Sequence, residues 1–318
     1  MIDDLIIIIP THNRQHYLRR VIKYYSSFPC KVYICDSSKE DAKIIDHGNI
    51  IYRWVPKLYF YEKILAVIDE TKANYYALSP DDDFLKESTL MECYDILCKN
   101  DTYSFGIGKQ IFFDEPFVGV FYTSPGTNNL AEFKSREGET RANYLQRFWS
   151  NYQNILWSIY KREAIKNAFT TLSTCNLKNG NFVELILGIE SLRIGDVYVS
   201  HDGFNFREEA KVAHWGNTTP TITTENIKRI DSLSDDYHSF LMYYKNDGGH
   251  ANQCLNYYLG SGNSNTVGFR SLIKKIIPNS VISFVYKLVP AMTRRRKEYV
   301  DDDIMKGRLM EAICNVNS

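Results

Sequence analysis

Three consecutive carboxylates, Asp81, Asp82 and Asp83, directly follow an apolar run over 73–78 that predicts a buried strand. Three anions this close together repel one another unless a cation or hydrogen-bond donors compensate their charge. Ligand sets made only of oxygen suit hard cations such as Mg²⁺ or Mn²⁺. The triplet therefore predicts a divalent-metal site. The alternative is a turn whose Asp side chains cap a helix over 85–97.

Polar residues also follow two earlier predicted strands. The apolar run over 5–9 is typical of a central parallel strand, and the segment Pro-Thr-His-Asn-Arg, which ends at Arg14, follows it. A second strand over 31–35 leads into Asp36. In an open α/β sheet, ligands bind beyond the carboxyl ends of the strands. We therefore expect Arg14, Asp36 and the Asp triplet to face one crevice.

These segments, in this order, resemble GT-A fold glycosyltransferases, and most closely bacterial, family 2-like enzymes that build surface polysaccharides. The segment over 10–14 is similar to their Pro-Thr-Tyr-Asn-Arg opening, Asp36 with the two serines after it to their second-strand nucleotide contact, and 78–85 to their DXD metal motif. The resemblance covers roughly residues 3–215. It implies an α/β fold of the GT-A (Rossmann-like) type, with a mostly parallel sheet flanked by helices and a C-terminal helical appendage.

The same resemblance implies a nucleotide-sugar donor, a Mg²⁺ or Mn²⁺ cofactor and a set of binding residues. Positions that match nucleotide contacts are Pro10, Thr11, Arg14, Asp36, Lys63, Asp81, Asp82 and Arg207. Metal ligands are expected at Asp83, Asp81 and His214. Which of the three Asp residues ligates the metal directly stays open, because the family's first Asp falls on Pro80. As alternatives, Lys63 is a surface residue, Arg207 pairs with an acid such as Glu208, and His214 is a core histidine.

Glycosyl transfer with inversion also needs a base for the acceptor hydroxyl. Glu184 is the only acid at the start of an otherwise apolar predicted helix over 182–192, where members of the family carry their base. The family has a second acid next to it, and here that position is Leu185. A carboxylate that merely stabilises the helix N-terminus is the alternative role for Glu184. Glu190 is a weaker candidate for the base.

Composition excludes several other classes of protein. The 318 residues contain 38 Lys and Arg against 38 Asp and Glu, so no net charge favours nucleic acid. Seven cysteines without a CxxC pair are typical of reduced, cytoplasmic thiols. The first apolar run is too short for a membrane span and lacks the basic residues of a signal peptide. We therefore expect a cytoplasmic protein.

The chain is predicted to divide into a catalytic domain over 1–220 and a helical C-terminal region over 221–318. In the latter, short apolar stretches broken by proline precede a basic run over 294–297. Such segments suit peripheral contact with the anionic cytoplasmic face of a membrane, and packing on the catalytic domain is the alternative. A turn-rich loop over 123–129 and a flexible hinge over 260–265 are also expected.

The function expected from these residues is metal-dependent, inverting transfer of a sugar from a nucleotide-activated donor to a cell-surface glycan or lipid-linked acceptor. A sugar-nucleotide nucleotidyltransferase is one alternative, although the segment over 10–14 lacks the glycine-rich loop of that class. A catalytically degenerate GT-A protein that serves in binding or assembly is another, because Leu185 replaces the second acid. The donor sugar, its nucleotide, the acceptor and the oligomeric state do not follow from the sequence.

Overall fold

The computed structural model describes residues 1–113, 121–123, 130–177, 179–208, 222–262, 296–297 and 307–308. Its strands are β1 (Ile2–Thr11), β2 (Cys30–Asp36), β3 (Ile50–Trp54), β4 (Tyr75–Leu78), β5 (Asp83–Leu85), β6 (Tyr103–Phe113), β7 (Phe121–Thr123), β8 (Ile159–Lys161), β9 (Asp196–Glu208) and β10 (Arg296–Lys297). Its α-helices are α1 (Gln15–Tyr25), α2 (Phe60–Glu70), α3 (Glu87–Lys99), α4 (Arg141–Ser150), α5 (Arg162–Cys175), α6 (Asn181–Ile194), α7 (Thr224–Arg229), α8 (Asp231–Tyr243) and α9 (His250–Gly262).

All of these strands belong to one sheet, in the order β10-β7-β6-β8-β4-β1-β2-β3, with β9 paired to both β6 and β5. β1 lies between β2 and β4 and is parallel to both. The chain therefore leaves β1 toward one side of the sheet and later returns on the other. The carboxyl ends of β1 and β4 flank the resulting crevice, which is where open α/β sheets bind their ligands.

The burial of β1 on both faces of the sheet explains why its sequence is continuously apolar. Ile6 and Ile8 pack into the core on one face of the sheet, whereas Ile7 and Ile9 pack into the core on the other face. Because successive side chains of a strand point to opposite faces, a strand covered on both faces needs apolar residues at every position. The flanking helices supply that cover, which confirms the predicted α/β architecture.

The second half of the sheet is dominated by the long parallel pair β6 and β9. Their register shifts between Ile107 and Lys109 and again between Lys109 and Gln110. At this irregularity a Cβ on Gly108 would lie only 2.7 Å from the carbonyl oxygen of Asp202, so the two backbones approach as closely as glycine alone allows. Such bulges re-aim side chains, and this one lies beside the site described below.

Several elements differ from the sequence-based expectation. The helix expected from residue 85 begins at Glu87, because 83–85 forms the short strand β5. The hinge expected over 260–265 is helical as far as Gly262, where α9 ends. The expected loop after Thr123 and the expected domain boundary at residue 220 lie outside the described residues.

The helices after residue 221 pack on the rest of the chain. Phe240 of α8 and Cys254 and Leu255 of α9 are buried in the same core as Ile6 and Ile8 of β1. At the opposite edge, β10 pairs antiparallel with β7. The domain boundary at residue 220 stays a prediction. No helix in the described ranges is both long and apolar enough to cross a bilayer.

Candidate active site

The crevice between β1 and β4 brings together residues that lie about 70 positions apart in the sequence. Thr11 Oγ1 donates a hydrogen bond of 2.6 Å to Asp81 Oδ2. Arg14 Nη1 lies 2.8 Å from Asp81 Oδ1, and Arg14 also forms an ion pair with Asp82. Burial raises the pKa of Asp81 to about 6, although the charge of Arg14 opposes this shift. One arginine thus forms ion pairs with the first two carboxylates of the triplet.

Asp83 lies apart from the other two carboxylates. It belongs to β5, is almost completely buried, and stands opposite Arg207 of β9 in the strand pairing. Its Oδ2 lies 3.2 Å from Arg207 Nε, and its Oδ1 accepts a hydrogen bond from the backbone N–H of Glu208. Burial raises the pKa of Asp83 to about 7, against the opposing charge of Arg207. Arg14 therefore pairs with Asp81 and Asp82, whereas Arg207 pairs with Asp83.

The Asp triplet fits a divalent cation in one specific respect. Asp83 Oδ2 is buried and accepts no well-formed hydrogen bond within the described residues, so it retains a lone pair for a cation. Among those same residues, no group of three or more His, Cys, Asp or Glu side chains converges as a metal cage. Mg²⁺ commonly binds through one or two carboxylates together with waters and substrate phosphates. A cation held here would therefore take its remaining ligands from a bound diphosphate and water.

Asp36 and Lys63 hold the crevice loops in place. Asp36 is fully buried and accepts hydrogen bonds from the backbone N–H of Ser38 (2.8 Å) and from Tyr52 Oη (2.9 Å). Lys63 Nζ donates to the carbonyl of Thr11 at 2.8 Å, and burial lowers the pKa of Lys63. Lys63 is thus not the surface residue that the alternative required.

Trp54 is a candidate ligand contact that the sequence analysis missed. It is the register partner of Asp36, and its indole Nε1 donates to the carbonyl oxygen of Ser38 at 3.0 Å. Its side chain nevertheless remains 43% exposed, so the flat ring borders the crevice. The sequence offered no local signal for Trp54, because only the pairing of β2 with β3 brings it beside Asp36.

Glu184 lies in the first turn of α6, as the sequence predicted. Tyr152 Oη donates to Glu184 Oε2 at 2.8 Å, and Asn154 Nδ2 donates to Glu184 Oε1 at 2.7 Å. Glu184 retains access to solvent, yet protein surrounds it closely enough that desolvation raises its pKa, while the bond from Tyr152 opposes the rise. A carboxylate with a raised pKa, held in a fixed orientation, is well suited to accept a proton.

The packing of α6 fixes the groups around Glu184. The ring of Tyr152 stacks on Trp149 with centroids 5.3 Å apart. A Cβ on Gly188 would lie 2.5 Å from the Trp149 ring, so the indole packs directly on the helix backbone. The sequence analysis missed Tyr152 and Asn154, although the polar cluster over 151–154 was a usable signal.

Arg207 connects the two halves of the site. Besides forming an ion pair with Asp83, Arg207 lowers the pKa of Glu184 through its positive charge. The Arg207 side chain is 33% exposed, so it also borders the open cleft. Nearby, Arg20 Nη2 binds Glu208 Oε2 at 2.8 Å and ties α1 to the end of β9.

The remaining predicted site residues are Glu190, His214 and Pro10, and the structure does not place them with Glu184, Arg207 and Asp83. Glu190 accepts a hydrogen bond of 2.6 Å from Tyr244 Oη of α8 and is buried among helices. His214 lies outside the described residues. Pro10 stands in β1 directly before Thr11, at the rim of the crevice.

Comparisons with known proteins agree with this geometry at the level of the fold. No family model and no curated protein matches the sequence. Among solved structures, residues 1–349 of S. aureus TarS superpose with a TM-score of 0.50 at 14% identity, covering 98% of this chain and 81% of that one. The same fragment in complex with UDP-GlcNAc gives a TM-score of 0.52 at 13% identity, covering 98% and 90%. TarS is a GT-A-type glycosyltransferase, and the likeness confirms the GT-A fold.

Proposed function

We propose that this chain is a metal-dependent glycosyltransferase that moves a sugar from a nucleotide-activated donor to an acceptor hydroxyl with inversion. The observation that carries the proposal is the arrangement of Glu184, Arg207 and Asp83 within one cleft of a GT-A fold. It combines a partly exposed carboxylate suited to proton transfer, Glu184, with an acidic triplet suited to a cation. The complex of TarS with UDP-GlcNAc makes UDP sugars the first donors to test.

The charges in the cleft support the need for a cation. Arg14 already faces Asp81 and Asp82, and Arg207 already faces Asp83, so each carboxylate of the triplet has an arginine partner. Two guanidinium groups thus face three carboxylates, and a nucleoside diphosphate brings further negative charge into a site that already has one carboxylate in excess. The carboxylates of the triplet would hold a divalent cation, which would supply charge neutralisation for the departing diphosphate.

The protein's own groups then perform the remaining steps. Glu184 accepts the proton of the acceptor hydroxyl, while Tyr152 and Asn154 hold its two oxygens in position. The acceptor oxygen forms a bond to the anomeric carbon from the face opposite the diphosphate, and the bond from that carbon to the phosphate oxygen breaks. This displacement inverts the anomeric configuration. Arg207 donates to the phosphate oxygens as negative charge builds on them.

At the other end of the cleft, the exposed ring of Trp54 offers a stacking surface for the base of the nucleotide. For the acceptor, a cell-surface or lipid-linked glycan at the cytoplasmic face of a membrane follows from the sequence resemblance. The basic tail supplies the peripheral membrane contact in this proposal.

Binding measurements test the proposal before any acceptor is known. Calorimetry with UDP, UDP-GlcNAc and a panel of other nucleoside diphosphates and nucleotide sugars is run with Mn²⁺, with Mg²⁺ and with a chelator. We expect at least one nucleotide sugar and its nucleotide to bind with metal and to bind much more weakly with chelator. If no nucleotide of the panel binds under any metal condition, the proposed function is wrong.

A further inference from the structure

Helix α9 follows the predicted domain boundary at residue 220, yet one of its side chains reaches the residues around Glu184. Cys254 and Leu255 anchor the helix, because both are buried in the same core as Trp149 of α4. Tyr258 lies four and three positions after them, so it projects from the same face of α9. Its ring extends the buried face of the helix toward the base.

The ring of Tyr258 contacts both Tyr152 and the indole on which Tyr152 stacks. Its centroid lies 5.4 Å from that of Tyr152, with the ring planes at 70°, and 6.2 Å from that of Trp149, with the planes at 79°. Such edge-to-face contacts are among the favoured arrangements of aromatic pairs. Tyr152 itself lies flat on Trp149, with the planes 13° apart. Trp149 thus supports one face of the Tyr152 ring, and Tyr258 adds a second contact.

These contacts act on Glu184 through the hydroxyl of Tyr152. That hydroxyl donates to Glu184 Oε2 at 2.8 Å, and its position is set by the ring that carries it. A ring held by two aromatic neighbours has little freedom to move, so the hydrogen bond keeps one direction. Removal of one neighbour frees the ring and, with it, the carboxylate that the hydroxyl orients.

Tyr258 also lies close to the carboxylate itself. Burial, followed by the negative charge of Glu184, raises the pKa of the Tyr258 phenol to about 12, so this phenol is neutral near pH 7. Burial and the charge of Glu184 also raise the pKa of Tyr152 and of Tyr160 on β8, and the charge of Arg207 acts on Glu184 from β9. Desolvation is the largest cause of the raised pKa of Glu184, and the aromatic side chains around it take the place of water.

We propose that Tyr258 is a positioning residue for the base Glu184, an inference that rests on the proposed function. Its ring holds the Tyr152 hydroxyl against the carboxylate and keeps water away from it. The helix that supplies this ring lies beyond residue 220. The C-terminal helices therefore complete the catalytic centre as well as packing against the sheet.

Urea unfolding over a pH series tests the inference without any substrate. The proteins are the wild-type protein, Glu184→Gln, Tyr258→Ala and the double variant. In the wild-type background, stability relative to Glu184→Gln falls as pH rises from about 4.5 through the raised pKa of Glu184. In the Tyr258→Ala background, water reaches the carboxylate and its pKa moves toward the ordinary value, so this fall should shrink by about half or more.

Tyr257→Ala is the matched control, since it removes the neighbouring tyrosine of α9, whose hydroxyl accepts a hydrogen bond of 2.9 Å from Gln253 on the same helix. It should leave the fall unchanged. Tyr258→Phe retains the ring and should also leave it unchanged. If Tyr258→Ala does not fold, Tyr258→Leu takes its place, because leucine keeps apolar bulk on the helix face but loses the aromatic contacts.

Turnover provides a second readout once a donor is found. Tyr258→Ala should lower kcat for release of UDP by about tenfold with little change in KM for the UDP sugar, because a misoriented base affects the reaction and not donor binding. The acid limb of the kcat profile should move to lower pH, since the base then loses its proton at a lower pH. Tyr258→Phe should restore both properties.

Four results would overturn the inference. An equal fall with pH in the wild-type and Tyr258→Ala backgrounds shows that Tyr258 does not shield Glu184, whatever the protein binds. Equal effects of Tyr257→Ala and Tyr258→Ala indicate a general loosening of α9, and equal effects of Tyr258→Phe and Tyr258→Ala exclude the ring as the cause. A reduced fall with unchanged kcat assigns the contact to packing alone. Failure of the wild-type protein to bind any nucleotide instead contradicts the proposed function, and the pH series then reports a structural contact only.

Discussion

Arg207 Nε lies 3.2 Å from Asp83 Oδ2, opposite it in the pairing of β5 with β9. The same guanidinium lowers the pKa of Glu184, so one side chain acts on a residue assigned to the cation and on the residue assigned to the base. A change at Asp83 therefore alters the charge that surrounds Glu184 as well. Variants at the two carboxylates should be compared by binding and by turnover separately.

Asp83→Asn should abolish metal-dependent nucleotide binding and leave the fold intact. The substitution removes a buried negative charge and its repulsion with Asp82, so the melting temperature should stay the same or rise. Calorimetry with UDP and Mn²⁺ measures the binding, and thermal unfolding measures the fold. Asp101→Asn, at an exposed turn, is the matched control and should change neither. Unchanged Mn²⁺-dependent affinity in Asp83→Asn would exclude Asp83 as a ligand.

Arg14→Gln should make the stability of the protein depend more strongly on metal. Without Arg14, Asp81 and Asp82 lose their ion pairs, and the free energy of unfolding without metal should fall by about 1 to 3 kcal/mol. Mn²⁺ binds the folded state and replaces the lost charge, so it should raise the melting temperature of the variant more than that of the wild-type protein.

The control for this experiment is Arg53→Gln. Arg53 also bridges two carboxylates, Asp46 and Glu70, but on an exposed surface where such pairs contribute about 1 kcal/mol or less. Mn²⁺ should raise the melting temperature of Arg53→Gln by the same amount as that of the wild-type protein. If Mn²⁺ stabilises Arg14→Gln no more than it stabilises Arg53→Gln, the cation does not bind at the first two carboxylates.

The pattern of apolar and charged residues along the chain was sufficient to predict the main helices and strands that carry the site. The continuous apolar run of β1 indicated burial on both faces, and an acid opening an apolar helix placed Glu184 correctly in the first turn of α6. Both signals depend on residues close together in the chain. The crevice at the ends of β1 and β4 then followed from the general rule for parallel sheets.

Contacts between distant parts of the chain were not predictable in the same way. Asp83 belongs to a three-residue strand that exists because β9, more than 110 positions later, pairs with it. Asp36 is buried by partners that include Tyr52 of β3, so its sequence position alone suggested an exposed contact.

Glu184→Gln should separate chemistry from binding. The amide cannot accept the acceptor proton, so turnover should fall by about 10²-fold or more, while affinity for UDP and the UDP sugar stays the same. Release of UDP measures turnover once a donor is found. Glu190→Gln is the control, since Glu190 bonds Tyr244 among buried helices, and it should alter stability without this kinetic loss. Near-normal turnover in Glu184→Gln would show that Glu184 is not the base.

The raised pKa of Glu184 also predicts how the difference in stability between the wild-type protein and Glu184→Gln changes with pH. Desolvation lifts this pKa above its ordinary value of 4.5, so the folded state holds the proton more tightly than the unfolded state. Stability of the wild-type protein relative to Glu184→Gln should therefore fall as pH rises from about 4.5 through the raised pKa, and then level off. Tyr152, Asn154 and Arg207, which face Glu184, are unchanged in the variant.

Urea unfolding at a series of pH values measures this difference directly. Subtracting the two free energies of unfolding cancels the other titrating groups, including Asp81 and Asp83. A difference that stays constant between about pH 4.5 and pH 8 would show that Glu184 is not desolvated in the folded protein.

The last prediction concerns the basic run over 294–297 and its contact with membranes. Arg296 and Lys297 pair through their backbones with β7, and Arg308 forms an ion pair with Glu87, so parts of the tail return to the catalytic fold. Reversing the charge of Arg294 and Arg295 leaves that strand pair in place. It should weaken binding to anionic vesicles, because each basic residue near such a surface contributes about 1 kcal/mol. Reversing Lys228 and Arg229 on α7 is the control and should not.

Vesicle sedimentation at low and at high salt measures the effect. The full chain should prefer anionic over neutral vesicles at low salt and lose that preference as salt screens it. A chain truncated after Gly262 should remain in the supernatant and still bind nucleotide with Mn²⁺. If the full chain ignores anionic vesicles, or if the truncation unfolds the catalytic fold, the tail is a packing element and the membrane contact is wrong. The glycosyltransferase proposal stands in either case, because Glu184, Arg207 and Asp83 all precede the tail.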